Sequence, residues 1–420
     1  MAREWETAPL SELCEQIADC PHSTPMWTNS GVIVLRNQNI RGGGLDLSSP
    51  SYTDEAHFEQ RSRRARLRAG DLVLTREAPM GEVCMVPENL RCCLGQRMVM
   101  LRPNPKKCDS RFLLYSIQSD AVQHEIKASE GTGSTVSNLR IPLLEALPIP
   151  HPPLAEQKAI AAVLGALDEK IELNRRMNAT LEAIVRALFQ SWFVDFDPVR
   201  ARLDGWSATG VDSATAALFP ELLEDSPLGH IPKGWKVTNL GEIATNPRRG
   251  VQPRDIGPNT SYIALEHMPR RSIALGDWDD SAAVASNKLA FKKGEILFGK
   301  LRPYFHKVGV APLDGVCSTD ILVLAPKSPE WFGFLLGHAS SEDLIQFTDL
   351  ASTGTRMPRT SWTDIGSYKV ALPPVSIADV FTKSVSPFIC RINANLHESR
   401  VLAAIRDALL PKLLSGEITL

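Results

Sequence analysis

Arginine and amide side chains near the ends of predicted strands are the residues of this chain best suited to do chemistry. In the major groove of DNA, arginine pairs with guanine and asparagine pairs with adenine, while other basic side chains contact phosphates. The candidates are Arg36, Asn37, Asn39, Arg41, Arg76 and Thr135 in the first half, and Arg248, Arg249, Arg302, Tyr304, Arg356 and Arg359 in the second. A solvated surface explains any single arginine more simply. The whole set, placed on loops after strands, favours contacts to nucleic acid.

Two glycine- and threonine-rich segments supply two of these candidates. Residues 131–135 read GTGST and residues 352–356 read STGTR. Successive backbone amides in such loops can bind a phosphate group. An ordinary turn is an equally good interpretation of both segments.

Motifs for catalysis are missing from the sequence. Methylation of an exocyclic amine needs an Asn/Asp-Pro-Pro-aromatic loop, and the pairs Pro152-Pro153 and Pro373-Pro374 lack the polar and aromatic members. No GxGxxG follows a predicted strand, and no GxxxxGK[ST] occurs. The eight cysteines form no CxxC pair, which favours reduced thiols over a zinc site. We therefore expect no catalytic residue, no metal and no cofactor in this chain.

A long amphipathic helix is predicted over residues 152–198. Alternating steps of four and three give a seam of Ile160, Leu164, Leu167, Ile171, Asn174, Asn178, Leu181, Val185, Leu188 and Trp192. Adding 221 gives Phe381, Val385, Phe388, Ile392, Asn395, Ser399, Leu402, Arg406, Leu409 and Leu413. The sequence thus predicts two long helices that pair, with asparagine at matching core positions. Asp168 is expected on the solvated side, and Ser399 and Arg406 depart from the apolar pattern.

The globular segments before the two helices also repeat. Trp5 matches Trp235 (235 − 5 = 230), and Thr132 matches Thr353 (353 − 132 = 221), so the second copy is nine residues shorter (230 − 221 = 9). Each copy shows short β-rich runs, followed by one helical pattern at 111–127 or at 329–347. We predict domains at 1–151 and 233–372, long helices at 152–198 and 373–420, and a linker at 199–232.

The predicted fold class is α+β. Two repeated domains of mixed α/β type are joined by two long antiparallel coiled-coil helices, which gives a pseudo-twofold arrangement. Composition agrees with such a protein, since 43% of the 420 residues are hydrophobic and 22% are charged. The start lacks an apolar signal segment and no 18-residue apolar run occurs, so we expect a cytoplasmic protein with no membrane partner. The net charge of −2 argues against a chain that grips nucleic acid by bulk charge alone.

The central region resembles that of a known family. The sequence PPLAEQKAIAAVLGALDEKIELNRRMNATLEAIVRALFQSWFVDFDP, followed by LFPELLEDSPLGHIPKGW before the second copy, is similar to specificity subunits of type I restriction-modification systems. The resemblance covers the whole chain, with the recognition domains matching in outline only. It implies that two target-recognition domains read a bipartite, asymmetric site on double-stranded DNA.

The resemblance also implies partners. Two modification subunits would bring S-adenosylmethionine and methylate adenine, and two restriction subunits would bring ATP-driven cleavage with Mg²⁺. Two alternatives stay open on the residues. A stand-alone DNA-binding regulator would bind its site tightly without partners, and a fused methyltransferase-nuclease would bind S-adenosylmethionine itself.

Overall fold

The computed structural model describes residues 5–128, 138–206, 208–280, 285–352 and 357–420. The chain divides into two compact units, Met1–Lys170 with Leu402–Leu420, and Ile171–Val401. Both boundaries fall inside the long helices, so each unit contains a globular part and segments of both helices.

The first unit begins with short strands and helices. Its strands are β1 (Thr7–Pro9), β2 (Cys14–Asp19), β3 (Val32–Leu35), β4 (Ile40–Arg41), β5 (Gly44–Leu45), β6 (Ser51–Thr53), β7 (Leu72–Thr75), β8 (Val83–Met85), β9 (Cys92–Leu94), β10 (Met98–Pro103) and β11 (Pro148–Pro150). Its helices are α1 (Leu10–Leu13), α2 (Glu55–Arg61), α3 (Ser110–Gln118), α4 (Asp120–Ala128) and α5 (Ile141–Glu145). The first long helix, α6 (Leu154–Phe193), follows.

An antiparallel four-stranded sheet in the order β2-β10-β7-β8 forms the centre of this unit. Successive side chains of a strand point to opposite faces. Val99 and Leu101 of β10 accordingly join the core under helix α3, while Met98 and Met100 join a second apolar cluster. Strand β10 is therefore buried on both faces. A smaller sheet, β6-β3-β9, contains the parallel pair β3–β9.

The second unit continues the chain after α6. Two further helices and a strand hairpin come first: α7 (Asp197–Asp204), α8 (Ser213–Ala216), β12 (Leu223–Ser226) and β13 (Gly229–Pro232). The remaining strands are β14 (Lys236–Asn239), β15 (Ala244–Thr245), β16 (Arg249–Val251), β17 (Ser261–Ile263), β18 (Asp279–Asp280), β19 (Lys288–Phe291), β20 (Ile296–Gly299), β21 (Val308–Val310), β22 (Gly315–Cys317), β23 (Ile321–Pro326) and β24 (Lys369–Leu372). The helices are α9 (Phe332–Ala339), α10 (Glu342–Ala351), α11 (Trp362–Ser367) and the second long helix, α12 (Val375–Ser415).

The second unit repeats the topology of the first. Its antiparallel sheet has the order β15-β23-β20-β21, and β17–β22 is a parallel pair that corresponds to β3–β9. The outer pair β14–β24 likewise corresponds to β1–β11. The repeat seen in the sequence is thus a repeat of strand order, although the sheet that contains the parallel pair has five strands in the second unit and three in the first.

Each predicted helical pattern after the strands is two helices rather than one. In the first unit, Ser119 has extended ψ and separates α3 from α4. In the second unit, Ser341 caps α10, because its hydroxyl accepts a hydrogen bond from the Leu344 amide. Serine competes with the helical backbone in this way and favours helix starts. The prediction of single helices over 111–127 and 329–347 was therefore wrong.

The long helices run antiparallel within the second unit and carry polar groups in their contact. Asn395 Nδ2 donates to Asn178 Oδ1 at 2.8 Å, and Asn174 Nδ2 donates to Glu398 Oε2 at 2.8 Å and to Ser399 Oγ at 3.3 Å. At the sequence offset of 221, Asn174 corresponds to Asn395 and Asn178 to Ser399, since 174 + 221 = 395 and 178 + 221 = 399. In the structure the pairing is crossed, because each asparagine of α6 contacts the counterpart of the other. Ser399 departs from the apolar pattern because it is the partner of Asn174.

The predicted seam lies on the covered faces of both helices. The following positions are buried or partly buried: Ile160, Leu164, Leu167, Ile171, Asn174, Leu181, Leu188, Phe381, Phe388, Ile392, Asn395, Leu402 and Leu409. No helix in the described ranges is long and apolar enough to cross a lipid bilayer.

Arg406 is also explained by a polar partner, in the first unit. Its guanidinium donates to Asp168 Oδ1 at 2.7 Å, and the Tyr115 hydroxyl donates to Asp168 Oδ2 at 2.6 Å. Burial, followed by the Asp168 carboxylate, raises the pKa of Tyr115. Asp168 therefore contacts both α3 and α12, and its side chain is still 37% exposed.

Candidate nucleic-acid interface

The turn at 36–41 in the first unit divides its predicted contact residues into two groups. Asn39 is only 2% exposed, accepts a hydrogen bond from the Arg36 amide at 2.9 Å and donates to the Asp46 carbonyl at 2.9 Å. Asn37 donates to the Glu77 carbonyl. The Nδ2 groups of both residues are thus occupied by backbone carbonyls of the same unit.

Arg36 and Arg41 are the exposed members of the turn. The Arg36 guanidinium lies 5.2 Å from the ring centroid of Trp27, and it donates to Ser51 Oγ at 3.4 Å. Trp27 is itself 46% exposed. Stacking on an aromatic face orients a guanidinium and leaves its edge free for a bidentate partner. Trp27 was not predicted from the sequence, because a single aromatic residue in a loop belongs to no periodic pattern or motif.

Arg76 is hydrogen-bonded within the first unit. It donates to both oxygens of Asp19 at 2.8 Å and to the Leu139 carbonyl at 2.8 Å, and its side chain is 11% exposed. Both edges of its guanidinium are therefore occupied within the protein. Arg76 joins residue 139 to the end of β7 and offers no exposed surface for base reading. Thr135 lies outside the described residues.

The second unit brings three of its predicted residues together. Leu301 and Arg359 form an isolated bridge, and the Arg302 amide donates to the Pro358 carbonyl at 2.8 Å. Arg302 has φ +52° at the start of the turn that carries Tyr304, whose side chain is 47% exposed.

An aromatic ring accompanies this group as well. Phe305 has the Arg270 guanidinium at 4.0 Å and that of Arg302 at 5.8 Å from its centroid. Arg359 lies 3.4 Å from the carboxylate of Asp320. The result is an arginine-rich, aromatic loop at the end of β20.

Arg248 and Arg249 lie elsewhere, at the sheet that contains the parallel pair β17–β22. Arg249 on β16 makes a bidentate pair with Glu295 at 2.7 and 2.8 Å, so it connects β16 to the start of β20. The hydrogen bonds that Arg249 donates to the Glu295 carboxylate raise the pKa of Arg249. Arg248 is exposed before the strand. Arg356 lies outside the described residues.

The two interfaces use the same backbone scaffold. The Arg76 amide donates to the Arg97 carbonyl at 2.8 Å, and the Lys300 amide donates to the Asp320 carbonyl at 3.0 Å. Returning segments then bind to these residues, with the Leu139 amide on the Arg76 carbonyl and the Thr360 amide on the Lys300 carbonyl. The loops that follow read EAPM at 77–80 and LRPY at 301–304. Equivalent positions thus present different side chains.

Other site chemistry is sparse in the described part of the chain. It contains no group of three or more histidine, cysteine or acidic residues placed to hold a metal ion. The cysteines are unpaired, and burial raises the pKa of Cys84, for example, to about 12. Such a thiol stays protonated and inert at neutral pH.

Comparison with known proteins agrees with this architecture. Residues 2–183 match the family model described as the type I restriction modification DNA specificity domain. The MjaIX specificity subunit of Methanocaldococcus jannaschii is 26% identical over 363 residues, which cover 83% of this chain and 78% of that protein. The chain is thus similar to the specificity subunits of type I restriction-modification systems. The HindI specificity subunit of Haemophilus influenzae is 24% identical over 400 residues, which cover 84% of this chain and 87% of that protein.

A solved structure shares the fold. The crystal structure of a type I restriction-modification system S subunit from M. genitalium matches with a TM-score of 0.55 and 18% identity. The match covers 97% of this chain and 96% of that chain. The repeated mixed α/β units and the two long helices are therefore the architecture of this fold.

Proposed function

We propose that this chain reads a bipartite, asymmetric DNA site and directs methylation and cleavage by partner subunits. The observation that carries the proposal is the repeated scaffold with different loop tips, EAPM at 77–80 and LRPY at 301–304. Equal scaffolds with unequal side chains suit two half-sites of different sequence. Joining two weak readers raises the effective concentration of the second contact, so the linked pair gains affinity and specificity over either reader alone.

The half-site chemistry follows from the exposed arginines. Arg36, oriented by Trp27, is assigned to a base edge of the first half-site, and Arg302 with Tyr304 to the second. Arg41 and Arg248, which are exposed without an aromatic partner among the described contacts, are assigned to phosphates. The domain limits proposed for this function are 1–151 and 233–372, with helices 152–198 and 373–420 setting the unread spacer and 199–232 as the linker.

Partners supply the catalytic chemistry in this proposal. Two modification subunits bring S-adenosylmethionine, two restriction subunits bring ATP and Mg²⁺, and the assembly works in the cytoplasm. The net charge of −2 supports a reader inside a larger complex over a stand-alone regulator, because each neutralised phosphate needs a basic residue.

The test is to co-express the chain with its modification subunit and to map methylated adenines in the host genome. We expect one bipartite, asymmetric motif that depends on both proteins. Arg36→Ala should relax one half-site and Arg302→Ala the other, each by about 1–3 kcal/mol of discrimination.

Arg175→Ala is the matched control. Arg175 lies on α6 and pairs with Glu172 on the same helix at 2.7 Å, so the motif should not change. Methylation without a bipartite motif, or tight site binding by the chain alone, would contradict the proposal.

A further inference from the structure

Within the second unit, a buried carboxylate connects the long helix α6 to the globular part. Glu182 is 7% exposed, although it is charged at neutral pH in most surroundings. The Ser272 hydroxyl donates to its Oε1 at 2.7 Å, and the Ile273 amide donates to its Oε2 at 3.1 Å. Both carboxylate oxygens are thus occupied by one short segment of the recognition unit.

That segment leads directly to the arginine-rich loop. The Arg271 amide donates to the His306 carbonyl at 2.9 Å, and the Val310 amide donates to the Ile273 carbonyl at 3.0 Å. Arg270 stacks on Phe305 at 4.0 Å. Residues 270–273 therefore hold the C-terminal end of the turn that presents Tyr304.

A cavity of about 220 Å³ surrounds this connection. Glu182 and Arg186 of α6 line one side, and Ser272, His306 and Glu342 line the other. Val185, Ile273 and Val308 also line the cavity, so the hydrogen bonds to Glu182 act beside apolar contacts in orienting the segment. Desolvation raises the pKa of Glu182, in keeping with its burial.

The equivalent position of the first unit carries no carboxylate. Ala403 of α12 lies as far from its helix start as Glu182 does from its own (403 − 375 = 28 and 182 − 154 = 28). The cavity near it is lined by Gly42 and Gly43, and the Gly42 amide donates to Glu82 Oε2 within the same unit at 2.9 Å. The carboxylate connection therefore belongs to the second unit.

We propose that Glu182 is a positioning residue for the second half-site, which holds the Arg302–Tyr304 loop against α6 through Ser272 and Ile273. This inference rests on the proposed function, since it presumes that the loop reads DNA. Its removal should loosen one reader while the other stays unchanged.

The experiment uses the full chain, co-expressed with its modification subunit, and scores methylation at genomic sites with one mismatch in either half. Glu182→Ala should lower discrimination about tenfold in the half-site that Arg302→Ala relaxes, because hydrogen bonds to a charged group are lost. Discrimination in the other half should stay within about twofold. Glu182→Gln should restore it, since its amide can accept from Ile273 and donate to the Ser272 oxygen.

Two further variants make the result decisive. Glu172→Ala removes a carboxylate that pairs with Arg175 on the same helix, and it should change neither half-site. Ser272→Ala removes one hydrogen bond without emptying the helix position, and it decides the matter should Glu182→Ala fail to fold.

The outcomes separate the two proposals. An absent bipartite motif in the wild type overturns the proposed function. A normal wild-type motif with equal discrimination in Glu182→Ala, or with equal losses in both half-sites, overturns the positioning role.

Discussion

The close approach of α9 to α6 gives the sharpest stability prediction. A Cβ atom added at Gly337 would lie 1.9 Å from Cδ2 of Phe189. Phe189 is 3% exposed, and the rings of Phe193, His338 and Phe381 surround it at 5.6, 4.9 and 6.3 Å. Gly337 and Phe189 both line the cavity of about 220 Å³ beside Glu182, so the Gly337→Ala methyl must push the ring towards that cavity or separate the two helices.

The magnitude follows from two opposing terms. Overpacking a well-filled core costs about 1–3 kcal/mol, and a contact this short belongs at the upper end, about 3 kcal/mol. Replacing a helical glycine by alanine returns about 1 kcal/mol of helix propensity. We expect a net destabilisation of about 2 kcal/mol, which for a unit of this size lowers Tm by roughly 4–8 °C.

Thermal unfolding of the purified chain, followed by tryptophan fluorescence, measures this difference. Trp192 and Trp235 are both buried in the core of the second unit and report on its transition. Gly366→Ala is the matched control, because its Cβ would lie 3.5 Å from Trp362, an ordinary contact. The control should unfold at or above the wild-type temperature. A Gly337→Ala protein as stable as the control would refute the packing argument.

Two further predictions concern buried polar groups. Burial lowers the pKa of His338 to about 3, so its stabilising effect is present above the unfolded pKa near 6.5 and is lost as the pH falls towards 3. Between pH 7.5 and 5.0 this linkage lowers the free energy of unfolding of the wild type by about 2 kcal/mol. Unfolding of His338→Phe, measured at both pH values, should lack that loss, and an equal loss in the variant would contradict the assignment. Asn395→Leu removes the donor to Asn178 and should destabilise the second unit by about 1–3 kcal/mol in urea unfolding. The double change to leucine at 178 and 395 should recover much of this, and a double variant weaker than the single one would argue against the pairing.

The long helices could be predicted because their signal is local and periodic. Helix α6, Leu154–Phe193, falls inside the predicted range 152–198, and α12, Val375–Ser415, inside 373–420. The repeat was visible because residue types recur at a nearly constant offset. Both signals need only one stretch of chain at a time.

The roles of single polar residues could not be predicted in this way. Arg76 follows a strand, which is the position expected of a base-reading arginine. Its partner Asp19, however, is 57 residues away in the sequence. Asn39 is likewise a residue type that reads bases, but its side chain is hydrogen-bonded to two backbone groups. The sequence shows which groups can form hydrogen bonds, whereas the fold decides which of them are already satisfied.

The repeated units contact the long helices through different residues, and this limits their exchange. Tyr115 and Gly337 each lie five residues after the start of their helix (115 − 110 = 5 and 337 − 332 = 5). The tyrosine donates to Asp168, whereas the glycine leaves space for Phe189. A chimera that swapped the two globular parts would leave Asp168 without its hydroxyl donor and would drive a tyrosine into Phe189. Each domain is therefore matched to its own end of the helix pair, and a viable graft must carry its contact helix residues with it.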